Sequence, residues 1–170
     1  MKLIGAILLI SATSYIGFDI SKKLSSRTKE LRMFIYSLQM IEAEMTFSHQ
    51  SLRQIFIQVK EKTEGPVASF YERLAEHLKK PITYFYSLWN DELNLLKQQS
   101  TLKESELTIL QQFGKNIGNH TIEQQKKQIK LTIYYLQKQL DEAIEQKNKY
   151  DRTVKSLGFL VGLLIVLILI

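Results

Sequence analysis

In a chain of 170 residues without cysteine, any chemistry falls to carboxylates, histidines, hydroxyls and amines. Disulfides, thiol nucleophiles and thiolate metal sites are removed together. The most prominent carboxylates are Glu42 and Glu44, flanked by the apolar Ile41, Ala43 and Met45. General acid–base or metal chemistry needs two such groups to converge. On a helix, residues two apart point about 200° away from each other, so this pair cannot share a proton or a metal ion. One of the two is expected at the edge of the core, bonded to a neighbouring helix, and the other toward solvent or a partner. The plainer reading of the pair is a charged rim beside the buried stripe; the sharper one makes Glu42 and Glu44 candidate partner-docking residues.

The three histidines, His49, His77 and His120, lie far apart, near predicted helix ends or surfaces. No H-E-x-x-H pair and no phosphate-cradling glycine loop accompanies them. The polar run Glu123 to Lys130 reads first as a solvated helix face and second as a docking surface. Trp89 and the Tyr84-Phe85-Tyr86 cluster read as core rather than as a ligand box. The chain is expected to have no catalytic, metal or cofactor-binding residues and not to be an enzyme.

What must position these residues is helical. Only two prolines, Pro66 and Pro81, and seven glycines occur, and no alternating strand pattern of useful length appears. The fold expected is all-α: a six-helix cytoplasmic bundle flanked by an N-terminal and a C-terminal transmembrane helix. The domain limits are 1–20 for the first span, 21–154 for the bundle with a long final stalk helix, and 155–170 for the second span.

Residues 3–20 are apolar apart from Ser11, Thr13, Ser14 and Asp19, and are close to the roughly 20 residues that cross a hydrocarbon core of about 30 Å. A secretory signal peptide is the rival reading, with Lys2 as its charged start and Ser11 to Ser14 near a cleavage site. Lys22, Lys23, Arg27, Lys29 and Arg32 follow at once, and such a cluster resists translocation and marks the cytoplasmic side. Lys147, Lys149, Arg152 and Lys155 precede the C-terminal apolar run and agree. That run, 157–170, reaches only about 21 Å as a helix, and it spans with the help of a snorkelling Lys155 and a thinned bilayer. Thr13 with Gly17, and Gly158 with Gly162, are small-x-x-x-small pairs that allow close helix packing inside the membrane. The net charge of +6 suits an anionic membrane face, and no basic block with interleaved aromatics argues for nucleic acid.

Within the bundle, Leu31, Ile35, Leu38, Ile41 and Met45 form one stripe over 29–47 at the spacing of a buried helical face. Ser48 or Ser51 caps a second helix carrying Leu52, Ile55, Phe56 and Val59. Glu64-Gly65-Pro66 opens a third, with Val67, Phe70, Tyr71, Leu74 and Leu78 inward. Lys80-Pro81 opens a fourth, with Ile82, Phe85, Leu88, Trp89, Leu95 and Leu96, ending near Gln99 and Ser100. Thr101 starts a fifth, with Leu107, Leu110, Phe113 and Ile117. Thr121 caps the last helix, with Gln124 completing a capping box. The final stripe is Ile122, Ile129, Ile133, Leu136, Leu140, Ile144 and Val154, and nothing between the charged part and the apolar end breaks the rod.

An apolar N-terminal stretch is followed by Leu38-Gln39-Met40-Ile41-Glu42-Ala43-Glu44-Met45 and Ser51-Leu52. Phe113-Gly114-Lys115-Asn116-Ile117-Gly118 comes next, then Gln125 and Ile129, and Lys155-Ser156-Leu157-Gly158-Phe159-Leu160-Val161-Gly162 near the end. In this order the motifs resemble the stage III sporulation protein AB family of endospore-forming bacteria, over essentially the whole chain. Thr121 stands where the family pattern has an aspartate, and Ser51 where it tends to have a proline. The resemblance implies a subunit on the mother-cell side of a channel joining mother cell and forespore. It also implies similarity to the cytoplasmic domains of platform proteins in type II secretion and type IV pilus machines, which are not enzymes. The partners implied are a cytoplasmic ATPase, stage III sporulation protein AA, other channel subunits of the same operon, and membrane lipid. Such platform proteins carry two related cytoplasmic domains, whereas this chain has room for one. A homo-oligomer is a general expectation for a platform. The alternative reading is a membrane-tethered signalling or scaffold adaptor that uses the last helix as a lever.

Overall fold

The computed structural model describes the backbone over residues 2–47, 50–80, 84–117 and 122–169, and side chains over 19–47, 50–80, 84–117 and 123–154. The described residues form six helices and no strand: α1 (Lys2–Phe47), α2 (Leu52–Lys62), α3 (Gly65–His77), α4 (Phe85–Gln99), α5 (Glu104–Asn116) and α6 (Ile122–Leu169). The all-α expectation holds. At the N-terminus the apolar stretch and the first bundle helix form one continuous helix. Residues 21–30 contain neither glycine nor proline, so nothing interrupts the backbone ladder there. At the other end α6 is one rod, as expected.

Among the described residues no helix is long and apolar enough to cross a membrane. The two expected spans fall on residues 1–20 and 155–170, and nearly all of their side chains, including those of Thr13, Gly17, Gly158 and Gly162, lie outside the described residues.

The short helices α2, α3, α4 and α5 pack in chain order. The long helices close the set, with α6 against both α5 and α1, and α1 against α2 and α3. The centre is aromatic. Trp89 is fully buried and stands edge-on to Phe70 at 5.0 Å and to Phe113 at 5.4 Å between ring centroids. Its indole N–H donates to the Leu110 carbonyl at 2.9 Å, so its one polar atom is satisfied. Phe34, Phe56 and Tyr71 extend the cluster. The Tyr71 hydroxyl shares a hydrogen bond of 2.7 Å with Ser37, and burial holds the phenol well above its ordinary range. Gly114 lets α5 approach Trp89 closely: a Cβ there would overlap the indole ring.

Several helix starts follow local chemistry. Ser51 caps α2, and its hydroxyl and amide are tied reciprocally to Gln54 at 3.4 and 3.3 Å. Gly65 opens α3 at φ +63°, a conformation that a Cβ would strain, and Pro66 follows in the first turn. The fifth helix begins at Glu104, not at Thr101. The Thr101 amide and hydroxyl instead donate to Glu30 on α1, at 2.9 and 3.0 Å. On α4, Leu93 and Glu92 face inward while Leu95, expected in the core, is exposed. Val154 is also exposed, since α6 has left the bundle by then. Ile82, and the Thr121 cap with its capping box, lie outside the described residues.

Candidate functional site

The long helices α1 and α6 run antiparallel. Arg27 reaches Gln146, and Glu42 reaches Lys130, so fifteen residues forward on α1 correspond to sixteen back on α6. Both helices therefore leave the bundle at the same end, the end nearer Arg27 and Gln146.

Glu42 sits on the seam between them. Its side chain is 23% exposed and its carboxylate lies 3.7 Å from the Lys130 ammonium, which is open to solvent. At that separation the pair is a weak tether. Glu44 is partly buried and also engaged. Helical geometry puts it on the other side of α1 from Glu42, so the structure does not bring the two carboxylates together. Among the candidate histidines, His77 on α3 approaches the buried carboxylate of Glu92 at 3.3 Å, and Arg73 Nε donates to the same group. His49 and His120 lie outside the described residues. Among the described residues no three metal-ligating side chains cluster.

A buried polar network joins α1, α5 and α6. Glu106 Oε1 accepts from Arg27 Nε at 2.8 Å and from Arg27 Nη2 at 2.6 Å, while Arg27 Nη1 donates to Gln146 at 3.0 Å. Glu106 is the third residue of α5, and its Oε2 reaches back to the Lys103 amide at 2.6 Å, tying off the helix start. Glu30 lies one turn along α1. Burial raises its pKa most, its Thr101 hydrogen bonds oppose that rise, and the nearby Glu106 charge adds to it. Sequence reasoning counted Arg27 with the membrane-flanking cations and gave Glu30 and Glu106 no role. Nothing in the helical period alone distinguishes a buried ionic residue from an exposed one.

A second feature missed from sequence is the outer face of α6. Leu131, Tyr134 and Tyr135 are 44%, 64% and 45% exposed, and the two tyrosine rings meet edge to face at 5.6 Å. The available signal was that 129–136 carries Ile129, Leu131, Ile133, Tyr134, Tyr135 and Leu136, apolar or aromatic residues around the whole helix. A helix apolar on every side is normally covered on every side. Here α1 and α5 cover one side, with Ile129 and Leu136 buried and Ile133 partly so. A shallow cleft of about 290 Å³, lined by Asn116, Gln124, Lys127, Gln128 and Leu131, adjoins the open side.

The arrangement offers internal ion pairs and open helix faces, which serve packing and recognition. The comparisons with known proteins point the same way as the motifs. The family model described as stage III sporulation protein AB matches residues 2–170. The chain is 32% identical over 169 residues to stage III sporulation protein AB of Bacillus subtilis (strain 168), covering 99% of each. A solved stage III sporulation protein AB structure is similar at TM-score 0.69 and 27% identity, over 73% of this chain and 98% of that one. A match that runs from one apolar end through all six helices to the other places the chain in the stage III sporulation protein AB family.

Proposed function

We propose that this sporulation protein is a non-enzymatic platform subunit of the mother cell–forespore channel needed for endospore formation, docking a cytoplasmic secretion-type ATPase to the membrane assembly. The observation that carries the reading is the antiparallel register of α1 and α6. It sends the two apolar ends of the chain out of the same end of the bundle, where one membrane receives both. Lys22, Lys23, Lys147, Lys149 and Arg152 flank those ends, which favours a bundle on the cytoplasmic side of the mother-cell membrane around the forespore.

The same register supports helix packing within the membrane. Fourteen residues back from Arg27 is Thr13, and fourteen on from Gln146 is Leu160, between Gly158 and Gly162. Thr13 and Gly17 then stand level with the glycine pair, where small residues allow close approach. Because the chain has no cysteine, Thr13→Cys with Leu160→Cys reports this directly: a disulfide forms at matched depth, and pairs displaced by a full turn crosslink less.

The ATPase partner in this reading is stage III sporulation protein AA, with Glu42 and Glu44, on different sides of α1, as the candidate docking residues. The test is co-purification of the full chain, in detergent, with that ATPase, with and without Glu42→Lys and Glu44→Lys. Salt-sensitive binding weakened by the reversals is the expected result. Absence of binding by the unaltered chain at every salt concentration overturns the reading.

A further inference from the structure

We propose that the outer face of α6 around Leu131, Tyr134 and Tyr135, bordered by Lys127 and Lys138, docks an acidic segment of a partner protein that lays an apolar side chain against the tyrosine rings and Leu131. The residues form one contiguous patch, because steps of three and four along a helix stay on one face. The border is positive, and neither Lys127 nor Lys138 has an acidic partner among the described residues. Exposed tyrosine and leucine with a rim of charge is the make-up of an interface centre, where aromatic rings supply contact area at little entropic cost.

The charge pattern also sets the direction of the segment. One turn beyond Lys138 the same face becomes acidic, with Asp141, Glu142 and Glu145. An acidic segment lying along α6 would meet that repulsion. One that crosses α6 at the tyrosines meets Lys127 on one side and Lys138 on the other. The neighbouring cleft carries Asn116 and Gln128, whose amides offer both donors and acceptors to a peptide backbone.

A second copy of the chain fits this face badly, an exclusion that rests on both ends entering one membrane. Two copies anchored in one membrane pair with α6 parallel, which sets Lys127 against Lys127 and Lys138 against Lys138. Antiparallel pairing would match Lys127 to Glu142 and Tyr134 to Tyr135, but it sends the two sets of apolar ends in opposite directions.

The test uses the full chain in sporulating cells, with Tyr134 replaced by the photocrosslinker p-benzoylphenylalanine, and with Tyr84, exposed elsewhere, replaced likewise as a control. The crosslinked peptide is identified by mass spectrometry. The expected product is one partner peptide of net negative charge, captured at position 134 and not at 84. Lys127→Glu with Lys138→Glu should reduce it about tenfold, the effect of two rim charges on a docking equilibrium. Lys127→Gln with Lys138→Gln should give an intermediate loss and serves where the reversal impairs folding. A crosslink to a second copy of this chain overturns the proposal, as does a peptide without net negative charge, a yield no higher than at Tyr84, or a crosslink insensitive to both variants. ATPase binding lost on reversal of Glu42 and Glu44 tests the earlier reading separately, so either can fail alone.

Discussion

Arg27 and Glu106, seventy-nine positions apart, are bound through two guanidinium nitrogens to one carboxylate oxygen, with side chains 4% and 0% exposed. Gln146 on α6 takes a third nitrogen of the same guanidinium. Three helices from distant parts of the chain thus meet on a single cation.

Removing one member of this pair leaves the other charged and buried. Glu106→Ala is expected to destabilise the protein by about 3–5 kcal/mol, measured by thermal or denaturant unfolding of the detergent-solubilised chain. Arg27→Met combined with Glu106→Leu should recover much of that loss, because no lone charge remains. A double variant as unstable as the sum of the singles would show that the pair is not coupled in this way.

Gly114→Ala places a methyl group where the Trp89 indole already lies. The ring is enclosed by Phe56, Phe70, Phe85 and Phe113 and has no room to yield. The expected cost is about 1–3 kcal/mol. Since Trp89 is the one tryptophan, the emission maximum should shift to longer wavelength as its packing loosens, and an unchanged spectrum with unchanged melting contradicts the close contact.

Glu30 has a pKa raised above its ordinary 4.5. In the pH range just above 4.5 the folded state therefore holds more proton than the unfolded state, and its stability falls as pH rises through that window. Glu30→Gln keeps an acceptor for Thr101 and removes the titration. Relative to the native chain, the variant should gain stability as pH rises from about 4 toward 7. Melting curves across that range check the sign.

Ser51→Ala removes the cap of α2 and its reciprocal bonds with Gln54. Both bonds are long and exposed, so a loss of about 0.5–1 kcal/mol is expected, at the lower end for such caps. Ser51→Asp should restore it in the same melting assay.

What could be read in advance was whatever depends on local period and punctuation. Trp89 as core, the stripe through Leu31, Leu38 and Ile41, a serine cap on α2 at one of two positions and the Gly65-Pro66 start all follow from residue spacing and turn chemistry. The errors come from contacts between distant segments. Thr101 has the side chain of a helix start, but Glu30, seventy-one positions earlier, takes up its amide and hydroxyl. Leu95 has the composition of a core residue, yet α4 turns Leu93 and Glu92 inward, where Arg73 and His77 meet the carboxylate. Leu131, Tyr134 and Tyr135 escaped notice because a stripe search keeps one face of a helix and discards the rest.

The antiparallel pairing of α1 and α6 has a mechanical side. A pull that spreads the two ends of the chain apart acts on a fork, and a fork opens one contact at a time from its mouth. The Arg27 network lies toward that mouth and is one of the locks that such a pull must break. A pull on the far end of the bundle, by contrast, is divided between two helices loaded along their axes, where every contact of the seam resists at once. The same fold is thus soft to lateral separation of its ends and stiff to traction along its length.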